Sequence, residues 1–359
     1  INVNKLAETE AILTERRDSL LVKMNKASGG EVNWNSPPQI AKLFFDKFKL
    51  PILEATGKGN PSTSESVLLR LQNKHPVAEM LIEYRGVEKN LSTYVVGWRK
   101  LMHGDRLYLS TKLQGTVTGR YASRLHQVPR DPLIRSHIDA PDGWEFVCAD
   151  YSQIELRLAA MLSNDARMKM IFQTGGDIHS TTASVILGKP IEKLTKEERK
   201  MAKAVNFGLL YGMGWPKLII YARDNYGVDM TDRQAQEFRK RYFETYSALP
   251  SWHERQRRCV RAFGQVVSLS GRVRRLPGIN SSEKGIRAEA ERQGINSPVQ
   301  GFGSGDLKAM AMVEISETFD LDEVQIKGEV HDSILMWVRS EAMNEILPKV
   351  KAIMEQPRR

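Results

Sequence analysis

Two acidic residues in this chain sit where the apolar spacing predicts strand ends, and that placement is the first sign of chemistry. Phe146-Val-Cys-Ala leads into Asp150, after which the apolar spacing changes from strand-like to helix-like. Val324, Ile326 and Val330 lead into His331-Asp332, and Ser333-Ile-Leu-Met-Trp-Val338 follows, so Asp332 is expected at the tip of a hairpin. Carboxylates on neighbouring strand ends repel unless a cation lies between them. Oxygen ligands combined with substrate phosphates suit Mg²⁺, and a pair of such ions can activate a hydroxyl and stabilise a leaving oxygen in phosphoryl transfer. A third feature fits the same chemistry. Arg199, Lys203, Phe207 and Tyr211 recur every four residues, two cations followed by two rings. On a helix they form a slowly winding stripe roughly 18 Å long, suited to a triphosphate followed by a base. Taken singly, each feature has an ordinary reading as a turn acid, a hairpin tip, or a solvated basic end above an aromatic core.

The elements that must position these groups follow from periodicity. Residues 4–26 are expected as an amphipathic helix stopped at Gly29-Gly30. Ser36-Pro37 with Gln39 reads as a capping box opening a helix through Phe44, Phe45 and Phe48. Residues 55–64 are turn formers, Ser64 is a candidate cap, and a long helix is expected over 76–103. Leu107–Leu113 and Gly115–Arg120 read as short strands, and 126–138, with Arg130 and Arg135, as an irregular basic stretch. The region 164–290 is expected to be helical, with a capping box at Thr195/Glu198 and a stop at Gly212 and Gly214. Residues 265–278 predict a small arginine-lined hairpin. Gly301, Gly303 and Gly305 lack the preceding strand of a dinucleotide fingerprint, and predict a close approach of another backbone. A helix over about 340–355 ends the chain.

Composition bounds the class. A chain of 359 residues exceeds one ordinary core, so two or three subdomains are expected. The net charge of +10 favours a polyanionic partner. No run is long and apolar enough for a membrane helix, and the N-terminus lacks a signal-peptide core. Cys148 and Cys259 form no metal pattern, and Cys148 is expected as a small buried hydrophobe in its strand.

These residues together carry a resemblance. Asp150-Tyr-Ser-Gln-Ile-Glu-Leu-Arg resembles motif A of the A-family DNA polymerases, Arg199…Lys203-Ala-Val-Asn-Phe207-Gly-Leu-Leu-Tyr211-Gly resembles motif B, and Val330-His331-Asp332 resembles motif C. Thr118-Gly-Arg120, Asp177-Ile-His179, Gly271-Arg272, Arg292…Asn296-Ser-Pro-Val-Gln300-Gly, Pro61-Ser-Thr and Ile82-Glu-Tyr-Arg-Gly are similar too, in the family's order. The resemblance implies an α+β right-hand polymerase fold. Its parts would be a helical thumb (1–104), an antiparallel-sheet palm (105–163 and 295–359) and helical fingers (164–294).

It also implies roles. Asp150, Asp332 and the Tyr151 carbonyl would hold two Mg²⁺ ions, for which Mn²⁺ can substitute. Lys203 would face the phosphates and protonate pyrophosphate, and Arg199 would grip the outer phosphates. His179 would face the triphosphate, with Gln153 among the nucleotide-binding residues. Phe207 would lie against the incoming sugar and base, a residue type that in this family goes with poor use of dideoxynucleotides. Tyr211 and Glu155 would exclude ribonucleotides. Arg120, Gln127, Arg292, Asn296 and Gln300 would track the primer–template, and His331 the primer end. Local alternatives stand beside three of these: Glu155 as partner of Ser152 in a capping box, His179 as a helix cap, and His331 as a simple turn residue. Lys58, Lys100, Lys112, Arg272, Arg274 and Arg275 are candidate phosphate contacts or solvated cations.

The expected partners are primer–template DNA and deoxynucleoside triphosphates, with an RNA template as the alternative. A cytoplasmic monomer with no membrane contact is expected, in a bacterial or virus-infected cell. Three departures from the family pattern stand out. Ser333 occupies the place of a glutamate. Tyr121–Pro129 replaces a longer polar run, with His126 and Gln127 in place of its polar pair. The sequence ends at Gln-Pro-Arg-Arg, where a last palm strand is expected. It begins where the family's 3′–5′ exonuclease domain would already have ended, so none is expected here. A degenerate primer–template-binding protein is the non-enzymatic alternative, with Ser333 as its support.

Overall fold

Helices occupy most of the chain because apolar residues recur at helical spacing through it, and the few strands gather mainly into one three-stranded sheet. The computed structural model describes all residues except Gln114, Arg130, Arg358 and Arg359. Arg130 of the basic stretch and the two terminal arginines thus lie outside the described residues. The chain divides into two units, residues 1–110 with 127–140, and residues 111–126 with 141–359. Residues 105–110 and 127–140 therefore cluster with the N-terminal helices, and 111–126 and 141–163 with the rest of the chain.

In the first unit the Val3–Ser28 helix packs against Pro76–Lys89. Leu6, Leu13, Leu20 and Met24 on one, and Val77, Leu81, Tyr84 and Val87 on the other, are buried. Asn2 caps the first helix by accepting from the Lys5 N–H, and Gly29 ends it at φ 72°, a left-handed conformation that glycine adopts without strain. Two sequence expectations change here. Ser36 makes no side-chain cap, and Gln39 Oε1 instead accepts from the Asn33 N–H at 3.0 Å, because its side chain reaches back over the loop that precedes the helix. The helix expected over 76–103 loosens into a π-helical turn at Asn90–Val96 and stops at Arg99, with small paired strands at Met102–His103 and Arg106–Leu107.

The sheet lies in the second unit. Its central strand, Ser333–Arg339, pairs antiparallel with Trp144–Asp150 on one side and Val324–Val330 on the other. The Lys308–Thr318 and Met343–Glu355 helices supply Ala311, Ile315, Ile346 and Val350 to the core on one face, where Val147 and Ala149 also pack. Strand alternation then turns Cys148 and Asp150 to the opposite face. Cys148 is exposed, contrary to the expectation of a buried thiol. A run of apolar and small residues read as a strand covered on both faces, whereas core covers this strand on one.

The helical region from Ile154 to Gln300 surrounds a second core containing Leu156, Leu158, Leu209, Tyr242 and Trp252. The hairpin at Gln265–Val267 and Val273–Arg275 is as expected. Gly115–Arg120 is not a strand. Thr111–Lys112 pairs with Ala122–Ser123, and Gly119 makes a turn at φ 83°.

Candidate active site

The register of the sheet sets the two aspartates. Asp150 pairs with Ser333, and the Tyr151 N–H donates to the Asp332 carbonyl at 3.2 Å, so the strand end and the hairpin tip are hydrogen-bonded neighbours. Ser333 Oγ donates to Asp150 Oδ1 at 2.6 Å. Asp150 is exposed, while Asp332 Oδ1 is buried and accepts no hydrogen bond. A buried carboxylate oxygen without a donor is unfavourable unless a cation satisfies it. Two carboxylates and a nearby carbonyl form a hard oxygen donor set, so the residues fit a divalent cation whose remaining ligands come from phosphate or water. Among the described residues no group of three or more His, Cys, Asp or Glu gathers in metal-binding geometry.

Glu155 lies at the second residue of the Ile154–Ser163 helix. The N-cap is Gln153, in the left-handed conformation at φ 55°, and no side chain caps this helix. The capping reading of Glu155 is therefore excluded. Its oxygens accept from Arg120 Nη2 (2.6 Å, to Oε1) and from Tyr211 Oη (to Oε2). Burial pushes the Glu155 carboxyl above its ordinary range, partly offset by Tyr211 and Arg120. The Tyr211 hydroxyl is driven far up by burial and by Glu155, so it acts as a donor. Arg120 Nη2 also donates to Ser304 Oγ at 2.8 Å. The arginine is delivered by the Gly119 turn, on which Arg272 lies; a Cβ at Gly119 would meet the Arg272 guanidinium at 3.0 Å. Gly301 and Gly305 make the expected approaches to another backbone, where a Cβ would stand 3.2 Å from the Thr118 carbonyl and 3.4 Å from the Gly119 carbonyl; at Gly303 the neighbour is instead a side chain, Leu158 Cδ1 at 2.6 Å.

Arg199, Lys203 and Phe207 lie on the Lys196–Leu210 helix, opened by the expected Thr195/Glu198 capping box, and Tyr211 is the residue that ends it. Arg199 and Lys203 are exposed, and Phe207 and Tyr211 are half-buried. Arg199 Nε donates to Asp177 Oδ2 at 2.7 Å. Lys203 makes no hydrogen bond or ion pair with a described residue, which leaves its ammonium available. Asp177 caps the Ile178–Leu187 helix through the His179 and Ser180 N–H groups. Burial raises Asp177, but Arg199, Ser180 and the His179 N–H outweigh it and hold the acid at about 2.

His179 is thus not the cap. It is buried, its Nδ1 accepts from Asn206 Nδ2 at 3.1 Å, and its ring packs on Phe207 at 5.8 Å. Burial drives His179 down to about 4, as it does His253, whose Nε2 donates to the Leu210 carbonyl at 2.8 Å. From 6.5 down to about 4 the unfolded chain binds these protons and the folded chain does not. Stability is complete above pH 6.5 and is lost as pH falls through that window, by about 3 kcal/mol at most for each histidine. Urea unfolding of wild type and His253→Gln as a function of pH checks this. The variant should have the shallower pH slope, and equal slopes would refute the assignment.

The remaining nominated residues divide. Gln300 and Asn296 lie on the same Lys284–Gln300 helix, and Asn296 Oδ1 is buried without a partner. Arg292 is held by Glu289 at 3.0 Å. His331 is exposed at the hairpin tip, in the left-handed conformation at φ 54°. Gln127 belongs to the first unit, where its carbonyl accepts from Tyr94 Oη. Of the candidate phosphate contacts, Arg272 is engaged by Asp306 (2.9 Å) and Arg274 by Ser297 (2.9 Å). Arg120 Nε, Tyr151 Oη, Gln153 Oε1, Asn296 Oδ1 and Asp332 Oδ1 are all buried without partners. Buried polar atoms without a protein partner call for a bound water or a polar ligand. Sequence reasoning missed Ser304, Lys308 and Glu329. Their side chains act across the fold, and no local spacing signals them.

Comparison with known proteins bears on this geometry. The family model described as DNA polymerase family A matches residues 3–359. The thermostable DNA polymerase I of Thermus aquaticus is 35% identical over 340 residues, covering 92% of this chain and 40% of that protein. The DNA polymerase I of Pseudomonas aeruginosa is 31% identical over 369 residues, covering 99% of this chain and 39% of that protein. The chain thus spans about two fifths of the length of these relatives. Among solved structures, the POL domain of Pol1 from M. smegmatis, in complex with DNA primer-template and dNTP, matches with a TM-score of 0.89 and 27% identity. The match covers 99% of this chain and 63% of that one.

Proposed function

The chain belongs to DNA polymerase family A and has its α+β right-hand polymerase fold, and from that premise we propose that it adds deoxynucleotides to a primer 3′ end on a DNA template. The observation that carries this reading is the pairing of the Asp150 strand end with the Asp332 hairpin tip, which leaves one Asp332 oxygen buried and unsatisfied. We assign residues 1–104 to the thumb, 105–163 with 295–359 to the palm and 164–294 to the fingers. Primer–template DNA and deoxynucleoside triphosphates are the partners, as in the complex of the related Pol1 domain.

In this mechanism Asp150, Asp332 and the Tyr151 carbonyl would hold divalent cations, which would supply charge neutralisation to the phosphoryl transfer. Arg199 leaves Asp177 for the outer phosphates, an exchange of one anion for a more highly charged one. The exposed Lys203 ammonium neutralises the triphosphate and gives a proton to the departing pyrophosphate as the primer oxygen bonds to the α-phosphorus. Phe207 supports the sugar and base. Glu155, Tyr211 and Arg120 close the space beside the sugar 2′ carbon, where a ribose hydroxyl would meet a tied hydrogen-bonded cluster. His331 meets the primer end, and Asn296 and Gln300 meet the terminal pair.

Extension of a labelled primer with Mg²⁺, offering deoxy- or ribonucleotides on DNA and RNA templates, tests this reading. Extension with deoxynucleotides on DNA is expected. A folded protein that extends with none of the four combinations would overturn it, and preference for the RNA template would replace it with reverse transcription.

A further inference from the structure

Behind the His331-Asp332 tip lies a charged network that the proposed mechanism does not use. Lys308 and Glu329 are 1% and 2% exposed, and they pair with each other. Lys308 Nζ also donates to the His331 carbonyl at 2.6 Å. The second Glu329 oxygen accepts from His126 Nε2 at 2.6 Å, and the His126 ring stacks on the His331 ring at 5.4 Å and 26°. The Tyr121 ring lies 5.8 Å from the Lys308 ammonium. His331 is thus held twice, by its carbonyl through Lys308 and by its ring through His126, with Glu329 joining the two holds.

Such a hold is needed because His331 is at φ 54°, a conformation that a residue with a Cβ adopts at a cost. A buried ion pair is a poor stabiliser, since apolar residues of similar volume often serve as well or better. Directed at one carbonyl beside a metal-binding aspartate, it is better explained as a device for geometry. Lys308 follows the π-helical turn at Gly301–Leu307, whose wider winding rotates the next residue on its helix, and Lys308 faces inward.

We propose that Lys308, Glu329 and His126 are positioning residues that lock the left-handed His331 and so aim Asp332 and the His331 ring at the primer terminus. The inference rests on the polymerase reading above. The test compares the Lys308→Met/Glu329→Gln double variant, which removes both charges at similar volume, with wild type in single-turnover extension. The maximal rate should fall by about 10–100-fold, the range expected from small misplacement of reacting groups. Apparent nucleotide affinity should stay within about threefold, because the phosphates are held by other residues. Amides of residues 330–333 should exchange hydrogen faster, a readout independent of activity.

A double-mutant cycle then separates positioning from bulk stability. Glycine adopts the tip conformation freely, so in a His331→Gly background the same double change should add no further loss. An equal loss in both backgrounds, or a wild-type rate in the folded double variant, overturns the network. If the double variant does not fold, His126→Ala, at a partly exposed position, decides in the same assay. It should be slowed by about tenfold, and a rate within about twofold of wild type overturns the proposal. Asp332→Ala run in parallel tells the two readings apart. Loss there with wild-type rates in the network variants removes only the network, whereas retained extension in Asp332→Ala removes the polymerase site itself.

Discussion

Asp332→Ala is expected to lower primer extension by about three to five orders of magnitude, since the cation-assisted charge stabilisation proposed for it would be worth several kcal/mol. Asp150→Ala should do the same. Both residues sit at the sheet's open end, Asp150 exposed and Asp332 with one oxygen unsatisfied, and neither contributes an apolar contact to the core beneath. Folding should therefore survive both changes, and thermal melting checks that. Primer–template affinity is expected to survive too, because binding to duplex DNA generally rests on spread-out phosphate contacts and weakens with salt. Gel-shift titration and single-turnover extension on the same preparations separate the two quantities. If either variant retains extension within about tenfold of wild type, the metal assignment fails. Ser333 sharpens the contrast. Its hydroxyl donates to Asp150 Oδ1, so Ser333→Ala removes one hydrogen bond to a charged group and should cost about tenfold, far less than loss of either aspartate.

Glu155→Ala is expected to raise ribonucleotide use relative to deoxynucleotide use by about 100-fold, the scale on which a pocket discriminates by shape and hydrogen bonding. Glu155 receives Tyr211 on one oxygen and Arg120 on the other, so its removal releases both partners at once. Tyr211→Phe keeps the ring and removes only the donor, and should relax selection by less. Competing deoxy- and ribonucleotide incorporation opposite one template base gives the ratio directly. An unchanged ratio in Glu155→Ala would leave the cluster as a structural tie between the Arg120 turn, the Ile154–Ser163 helix and Tyr211. The variant also strands Arg120 beside Ser304 alone, so a modest loss of stability should accompany it.

What the sequence by itself determined is the set of features encoded over a few residues. The strand into Asp150, the hairpin around Asp332, the Thr195/Glu198 capping box and the four-residue spacing of Arg199, Lys203, Phe207 and Tyr211 all appear where expected. Each depends on period, turn chemistry or a side chain meeting its own backbone, and such effects act within about one helical turn. Tertiary structure decided the rest. Ser152-Gln-Ile-Glu155 has the spacing of a capping box, but the left-handed Gln153 starts the helix instead, and Glu155 turns to partners 35 and 56 positions away. Cys148 was misread because alternation within a strand does not say which of its faces a core will cover. The Lys308–Glu329–His126 network has no sequence signature at all, because only the crossing of helix, hairpin and turn brings three ordinary polar residues to one carbonyl.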